Sequence, residues 1–200
     1  MKVLLEKQNM KNKEQIALFF ETDFPLNKEG VDELIASFTV KEFPKNTYLL
    51  QEGSYENKLR FINKGIVREF YSTDKKDINI NFYTRPQFIT DFSSFIQETT
   101  TNKHQETLSK VQLLELGKET FSRLLKKYSC GQSFIEQTFQ NILKNKEVFE
   151  YNRMTKEPET LYNELRIYRP HWLQEIPQYH IASYLGITPE TLSRIRNKRS

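Results

Sequence analysis

From Phe38 onwards the chain is cut into short runs rich in β-branched and aromatic residues, each closed by a turn signal, and this pattern limits the fold more than any other feature. FTVKEF (38–43), TYLLQEG (47–53), LRFINKG (59–65), IVREFY (66–71) and ININFYT (78–84) follow at close intervals, punctuated by Pro, Gly, Asn and Asp. VQLLELG (111–117) adds a further run. Strands this short, joined by turns rather than by crossover helices, pair antiparallel and close into a barrel or jelly roll. Gly53 and Gly65 fall at turns that call for a positive φ. TTTNKHQ (99–105) reads as a polar loop, and KETFSRLLKKY (118–128) returns to helical spacing. Two short helices are expected ahead of the strands, at 12–22 and 28–37. Ile16, Phe19 and Phe20 share one face of the first, and Val31, Leu34 and Ile35 one face of the second.

From Ser133 to Met154 neither Gly nor Pro interrupts the chain. Ile135, Phe139, Ile142, Lys146 and Phe149 recur at alternating steps of four and three, the spacing of a helical seam. Packing against the barrel would explain part of this stripe. A helix so long, with a lysine inside its apolar stripe, also suits a homodimer interface made by Ile135, Phe139, Ile142 and Phe149. Pro158 then opens a smaller helical unit: PETLYNELRIY, a break at Pro170, HWLQEI, and a new start at Pro177. The expected organisation is α+β, with a β-roll and flanking helices over 1–132, a long dimerisation helix over 133–155 and a helical unit over 156–200.

Composition bounds the chemistry. Phe and Tyr supply 25 of the 200 residues, enough for an aromatic core, and the 28 % of charged residues fits a soluble domain. Cys130 is the only cysteine, which excludes an internal disulfide, a cysteine zinc site and a four-cysteine iron–sulfur cluster within one chain. The N-terminal MKVLLEKQNMKNKEQ lacks the apolar core of a signal peptide. No run approaches the ~18 apolar residues of a membrane span. A cytoplasmic protein without a membrane partner is expected. The net charge of +4 is small, but four of the last seven residues (Arg194, Arg196, Lys198 and Arg199) are basic.

The closing stretch PQYHIASYLGITPETLSRIRNKRS has the most explicit local code. Pro177 suits the first turn of a helix, with Ile181, Ala182 and Leu185 facing inward and Ala182 small enough for a close crossing. Gly186 ends that helix, Thr188 caps the next, and Pro189 takes its first position. On the second helix Leu192 and Ile195 form the buried edge. At 100° per residue, Glu190, Arg194 and Asn197 fall on the opposite face, with Thr191 and Lys198 beside them. Such a stripe can read base edges: Arg on guanine, Glu on cytosine, Asn on adenine. The alternative is an ordinary i,i+4 pair between Glu190 and Arg194 on a solvated helix, worth only about 0.2–0.5 kcal/mol. A tight helix–glycine turn–helix favours the DNA-reading interpretation.

HIASYLGITPETLSRIRNK resembles the helix-turn-helix of the Crp/Fnr transcription regulators, and specifically their short-tailed branch in Bacteroidetes-like bacteria. With the roll carrying QEG and LRFINKGIVREFY and the long helix, the resemblance spans nearly the whole chain. It implies a cyclic-nucleotide-binding-like roll, a homodimer on a pseudo-palindromic double-stranded DNA operator, and RNA polymerase as downstream partner. Glu190 and Arg194 match the family's base-contacting positions, with Thr191 and Asn197 beside them; Gln178 and Tyr179 match its backbone contacts, joined by Thr188. Cyclic-AMP-responsive members carry an Arg before that Glu, where this chain has Pro189, so a different operator is expected. The family's β-hairpin wing is expected to be missing, with Arg196, Lys198 and Arg199 taking over its phosphate contacts.

Family members that bind cyclic AMP hold its phosphate with a Gly-Glu turn and a following Arg-Ser or Arg-Thr pair. Between Gln87 and Val111 there is neither glycine nor arginine, and Lys103 and His104 are the only cations placed to replace them. Cyclic AMP is therefore not the expected effector; an unknown small molecule stays open, and no cofactor is expected. His104, His171 and His180 have no distinctive setting for haem or metal. A cupin-like small-molecule or metal enzyme would need clustered histidines, and only His104 lies in the roll. With no phosphate loop or nucleophile motif, no catalytic residue is assigned. The remaining alternative is a protein-interaction module without DNA binding.

Overall fold

The computed structural model describes residues 13–20, 27–129 and 131–198. Among the described residues, eight strands form two four-stranded antiparallel sheets. The first orders β1 (Thr39–Phe43), β8 (Val111–Gly117), β3 (Lys58–Lys64) and β6 (Gln87–Phe88). The second orders β2 (Tyr48–Leu50), β7 (His104–Thr107), β4 (Val67–Ser72) and β5 (Asp77–Tyr83). Apart from the β4–β5 hairpin, successive strands pass between the sheets, which makes a jelly roll, as the short strand runs require. Gly65 sits at φ 103 between β3 and β4, and a Cβ there would lie 2.6 Å from the Lys110 carbonyl oxygen. Only glycine fits that turn.

The predicted polar loop at 99–105 is corrected: His104 and Gln105 begin β7. The strand escapes hydropathy patterning because its inward residues, Gln105 and Thr107, are polar yet fully buried. The short β6 and the helix α3 (Phe92–Gln97) were not expected either. Helices α1 (13–20), α2 (Lys28–Ser37) and α4 (Lys118–Lys127) cover the first sheet. Ile16, Leu34, Phe121 and Leu124 join Phe61, Phe95 and Leu114 in one core. Phe19 lies partly outside, edge-on to Phe61 and Phe88 at 5.9 and 5.1 Å. Residue 12, residues 21–22 and Cys130 lie outside the described residues.

The uninterrupted helix α5 runs Gly131–Thr155. Phe149 is half-buried and packs against Tyr184 with ring centroids 5.8 Å apart, so it serves the C-terminal core of its own chain. The side chains of Ile135, Phe139, Ile142 and Lys146 lie outside the described residues. Four short helices follow: α6 (Pro158–Tyr168), α7 (Pro170–Glu175), α8 (Gln178–Leu185) and α9 (Pro189–Asn197). Trp172, Ile181, Ala182, Leu185 and Leu192 form their core. Phe82 of β5, wholly buried, belongs to this second core and meets Trp172 edge-on at 5.0 Å. Among the described residues, no helix is long and apolar enough to cross a membrane.

Candidate functional site

Pro177 is the N-cap of α8 rather than its first residue, with an extended ψ of 137°. His180, Ile181, Ala182 and Leu185 are the buried residues of α8. Gly186 closes it at φ 73, and the Ile187 N–H donates back to the Ala182 carbonyl at 3.0 Å, the closure that a left-handed glycine permits. Thr188 caps α9, its hydroxyl accepting from the Thr191 N–H at 3.3 Å, and Pro189 opens the helix. Leu192 and Ile195 are buried against α8 and its neighbours. This fixes the rotation of α9.

The opposite stripe faces outward. Glu190, Arg194 and Asn197 are exposed, Thr191 is half-buried, and Arg196 and Lys198 are exposed towards the end of the helix. The alternative Glu190–Arg194 pair does not form; Arg194 donates to the Thr191 hydroxyl at 3.1 Å. Glu190 is held below the usual carboxylate range by its own backbone N–H and by the Thr188 hydroxyl. Tyr179 and Thr188 are exposed and line the same cleft. Gln178 is already engaged, donating to the Leu173 carbonyl at 3.3 Å. Arg199 lies outside the described residues.

His180, expected to have no particular setting, is buried where α8 meets the roll. Its Nδ1 lies 3.3 Å from the Asn79 amide nitrogen, which also reaches the His180 carbonyl at 3.4 Å. The Asn79 N–H donates to the Ser183 hydroxyl at 3.0 Å, and that hydroxyl donates to the Asp77 carbonyl at 2.8 Å. These contacts join α8 to β5, and the sequence pattern hid them. ININ suggests buried isoleucines and outward asparagines, yet Asn79 is 1 % exposed while Ile78 and Ile80 are only half-buried. The cause is a bulge: Phe70 pairs with Asn79 and Glu69 with Asn81, leaving Ile80 as the extra residue. A one-residue insertion reverses the strand's alternation. Asn79 and Phe82, three residues apart, thereby both face the C-terminal helices.

Inside the roll a second polar group gathers. Lys103 Nζ lies 3.1 Å from Asp91 and 3.9 Å from Glu69. Asp91 also accepts from the Thr101 hydroxyl at 2.6 Å, and Glu69 accepts from the Tyr83 hydroxyl at 3.0 Å and the Gln105 amide at 2.8 Å. Burial alone would lower the Lys103 pKa, but the charges of Glu69 and Asp91 more than offset it and hold the ammonium above its usual range. Lys103 is thus engaged by carboxylates. His104 stacks on Phe70 at 5.0 Å. Among the described residues, no group of three or more His, Cys, Asp and Glu could hold a metal ion.

Residues 40–128 match the sequence profile of the cyclic nucleotide-binding domain. The roll has that domain's fold. Three solved structures extend the likeness over most of the chain. CooA from Carboxydothermus hydrogenoformans is 14 % identical at a TM-score of 0.62, covering 83 % of this chain and 78 % of its own. The catabolite activator protein of Thermus thermophilus is 18 % identical at 0.54, covering 86 % and 83 %. CLP of Xanthomonas campestris, a regulator responsive to c-di-GMP, is 14 % identical at 0.63, covering 86 % and 91 %. At these identities the likeness is one of fold. No curated protein sequence matches the chain.

The His180 contact generates a pH prediction. Burial, and next the positive charge of Arg68, outweigh the pull of Asp77 and depress the His180 pKa from 6.5 to about 4. The unfolded chain therefore takes up this proton at a higher pH than the folded chain does. Stability from the neutral imidazole is full above about 6.5 and is lost as the pH falls towards 4. Thermal unfolding at a series of pH values should show His180→Gln with a shallower loss across that window than the parent. Parallel profiles would contradict the assignment.

Proposed function

We propose that the protein is a DNA-binding transcription regulator of the Crp/Fnr type, with α8 and α9 as its helix-turn-helix and α9 as the reading helix. The observation that carries this reading is the outward stripe of Glu190, Arg194 and Asn197 on a helix whose rotation is fixed by Leu192 and Ile195. The likeness of roll and C-terminal helices together to CooA, the catabolite activator protein and CLP supports it. Resemblance of the terminal motif to the short-tailed branch supports the finer placement. Arg194, Glu190, Thr191 and Asn197 read bases; Tyr179, Thr188, Arg196, Lys198 and Arg199 position phosphates. Gln178 joins them once its bond to Leu173 is exchanged for a phosphate oxygen. The protein acts as a homodimer through the N-terminal part of α5, with Ile135, Phe139 and Ile142 as the seam and Phe149 turned to the C-terminal core.

Cyclic AMP is not the effector. Glu69 and Asp91, both buried, face a single ammonium from Lys103, so the roll interior carries excess negative charge. A phosphodiester would enter against those carboxylates, without a guanidinium to hold it. Calorimetry with cyclic AMP and with cyclic GMP should show no saturable heat below about millimolar, equivalent to less than about 4 kcal/mol of binding free energy. Saturation in the micromolar range would contradict the reading.

Arg194 gives the sharper test. Its side chain is exposed and donates a hydrogen bond to the neighbouring Thr191, so Arg194→Ala should change folding stability by less than about 0.5 kcal/mol. Loss of a bidentate base contact should cost about 1–3 kcal/mol per half-site and relax preference at one base pair. Lys198→Ala should instead weaken all sequences alike and lower the salt dependence. Competition between operator and random duplex separates the two effects. An Arg194→Ala protein that binds both duplexes as well as the parent would remove α9 from the reading role.

A further inference from the structure

Adjacent residues of β5 serve two different cores. Phe82 is buried among the C-terminal helices, while Tyr83 packs inside the roll with Ile62, Val67, Ile89, Val111 and Leu113. Strand alternation makes this possible, since neighbouring side chains leave opposite faces of a sheet. The Tyr83 hydroxyl donates to Glu69 at 3.0 Å. Burial, and next the Glu69 charge, raise its pKa well above the usual tyrosine value, so it stays a donor. Glu69 shares the half-buried Lys103 ammonium with Asp91, the residue before α3. Gln105 ties the same Glu69 carboxylate to the Ile89 carbonyl, and the Thr101 hydroxyl closes on Asp91. An unbroken path of contacts thus runs from Lys103 through Glu69 and Tyr83 to Phe82 and the helices it packs against. Two residues beyond Tyr83, Arg85 reaches Glu175 of α7 at 3.6 Å.

We infer that Lys103 is a resident substitute for a bound effector: its ammonium fixes Glu69 and Asp91 and, through Tyr83 and β5, holds the helix pair in the pose that presents α9. This rests on the DNA-binding reading proposed above. Residues 40–128 match a domain class that takes a ligand, and here the charge that closes the interior comes from the chain itself. Two ionised carboxylates on neighbouring elements repel, and an ammonium between them turns that repulsion into a clamp on β4 and on the start of α3. Glu69 then accepts from Tyr83 in one fixed place. Without Lys103, Glu69 would turn towards water or take up a proton, and Tyr83 would lose its anchor. A cluster that served the roll alone would end at the roll's own walls. This one ends on the strand whose Asn79 and Phe82 hold the C-terminal helices, and coupling travels through such contiguous contacts. The pose of α9 is therefore set without a small molecule.

Hydrogen–deuterium exchange and operator affinity, both on the full chain, test this together. Lys103→Ala should lower protection across α8 and α9 by about tenfold, within the range of a broken buried coupling, while α2 and α4 keep theirs. The truncation removes the atoms of one propylammonium ion, so propylammonium chloride should restore protection and operator affinity together. Tetramethylammonium chloride at equal ionic strength has no N–H to donate and should restore neither. Tyr83→Phe removes one hydroxyl, keeps the ion cluster and decides the matter should Lys103→Ala not fold: it should reproduce the loss in α8 and α9, without rescue by propylammonium. Parent protein unfolded, dialysed free of small molecules and refolded should bind operator as tightly as protein purified directly. A deproteinised extract of the native cell should leave that affinity unchanged. Loss of protection spread evenly over the whole chain, no response of α8 and α9 to either substitution, or an affinity raised by the extract would overturn the inference. A parent that binds no duplex would instead remove the DNA-binding reading, and the exchange and rescue results would still decide the Lys103 tie.

Discussion

The contact between β5 and α8 governs how the two halves of the molecule relate. From within β5, the Phe82 side chain enters the C-terminal core, where it packs on Trp172, while Asn79, Ser183 and Asp77 exchange hydrogen bonds alongside. Their magnitudes compare closely. Burial of a phenylalanine ring contributes about 1.5–3 kcal/mol, whereas each hydrogen bond adds a net of about 1 kcal/mol. Taken together, the hydrogen bonds from Asn79 and Ser183 match the ring in magnitude, so both hold the attachment. The hydrogen bonds set register, since a slip of α8 along β5 would leave Asn79 buried without its partners. The Ile80 bulge makes both possible by turning Asn79 and Phe82 to the same face.

The roll shows a different economy. Its interior holds a polar group, satisfied internally by Lys103, Thr101, Tyr83 and Gln105 around Glu69 and Asp91. An unpaired buried carboxylate costs several kcal/mol, so removing the Lys103 ammonium is expected to disturb folding. The same charges bear on ligand choice, for they oppose an anion. The roll is here tied together by its own side chains.

Much of this architecture was legible in the sequence, for identifiable reasons. Pro177, Gly186, Thr188 and Pro189 each impose a local backbone state, and so the α8–α9 pair was placed to within one residue. The unbroken stretch after Ser133 gave α5, and the turn-bounded runs gave six of the strands. What escaped was buried polarity: the inward residues of β7 are polar, so it read as a loop, and a bulge in β5 turns Asn79 inward. His180 was passed over because its partner Asn79 lies 101 positions away. Local punctuation survives in a sequence, whereas long-range polar pairing leaves no periodic trace.

A genome-wide occupancy map of the protein in its native cell tests the central claim most directly. A dimer that reads DNA through two copies of α9 predicts a shared pseudo-palindromic motif among the occupied sites. Its half-site centres should lie about one helical turn, 10–10.5 base pairs, or a multiple of it apart. Occupancy without any shared motif, or with a motif lacking two-fold symmetry, would contradict a dimeric reader built on Glu190 and Arg194.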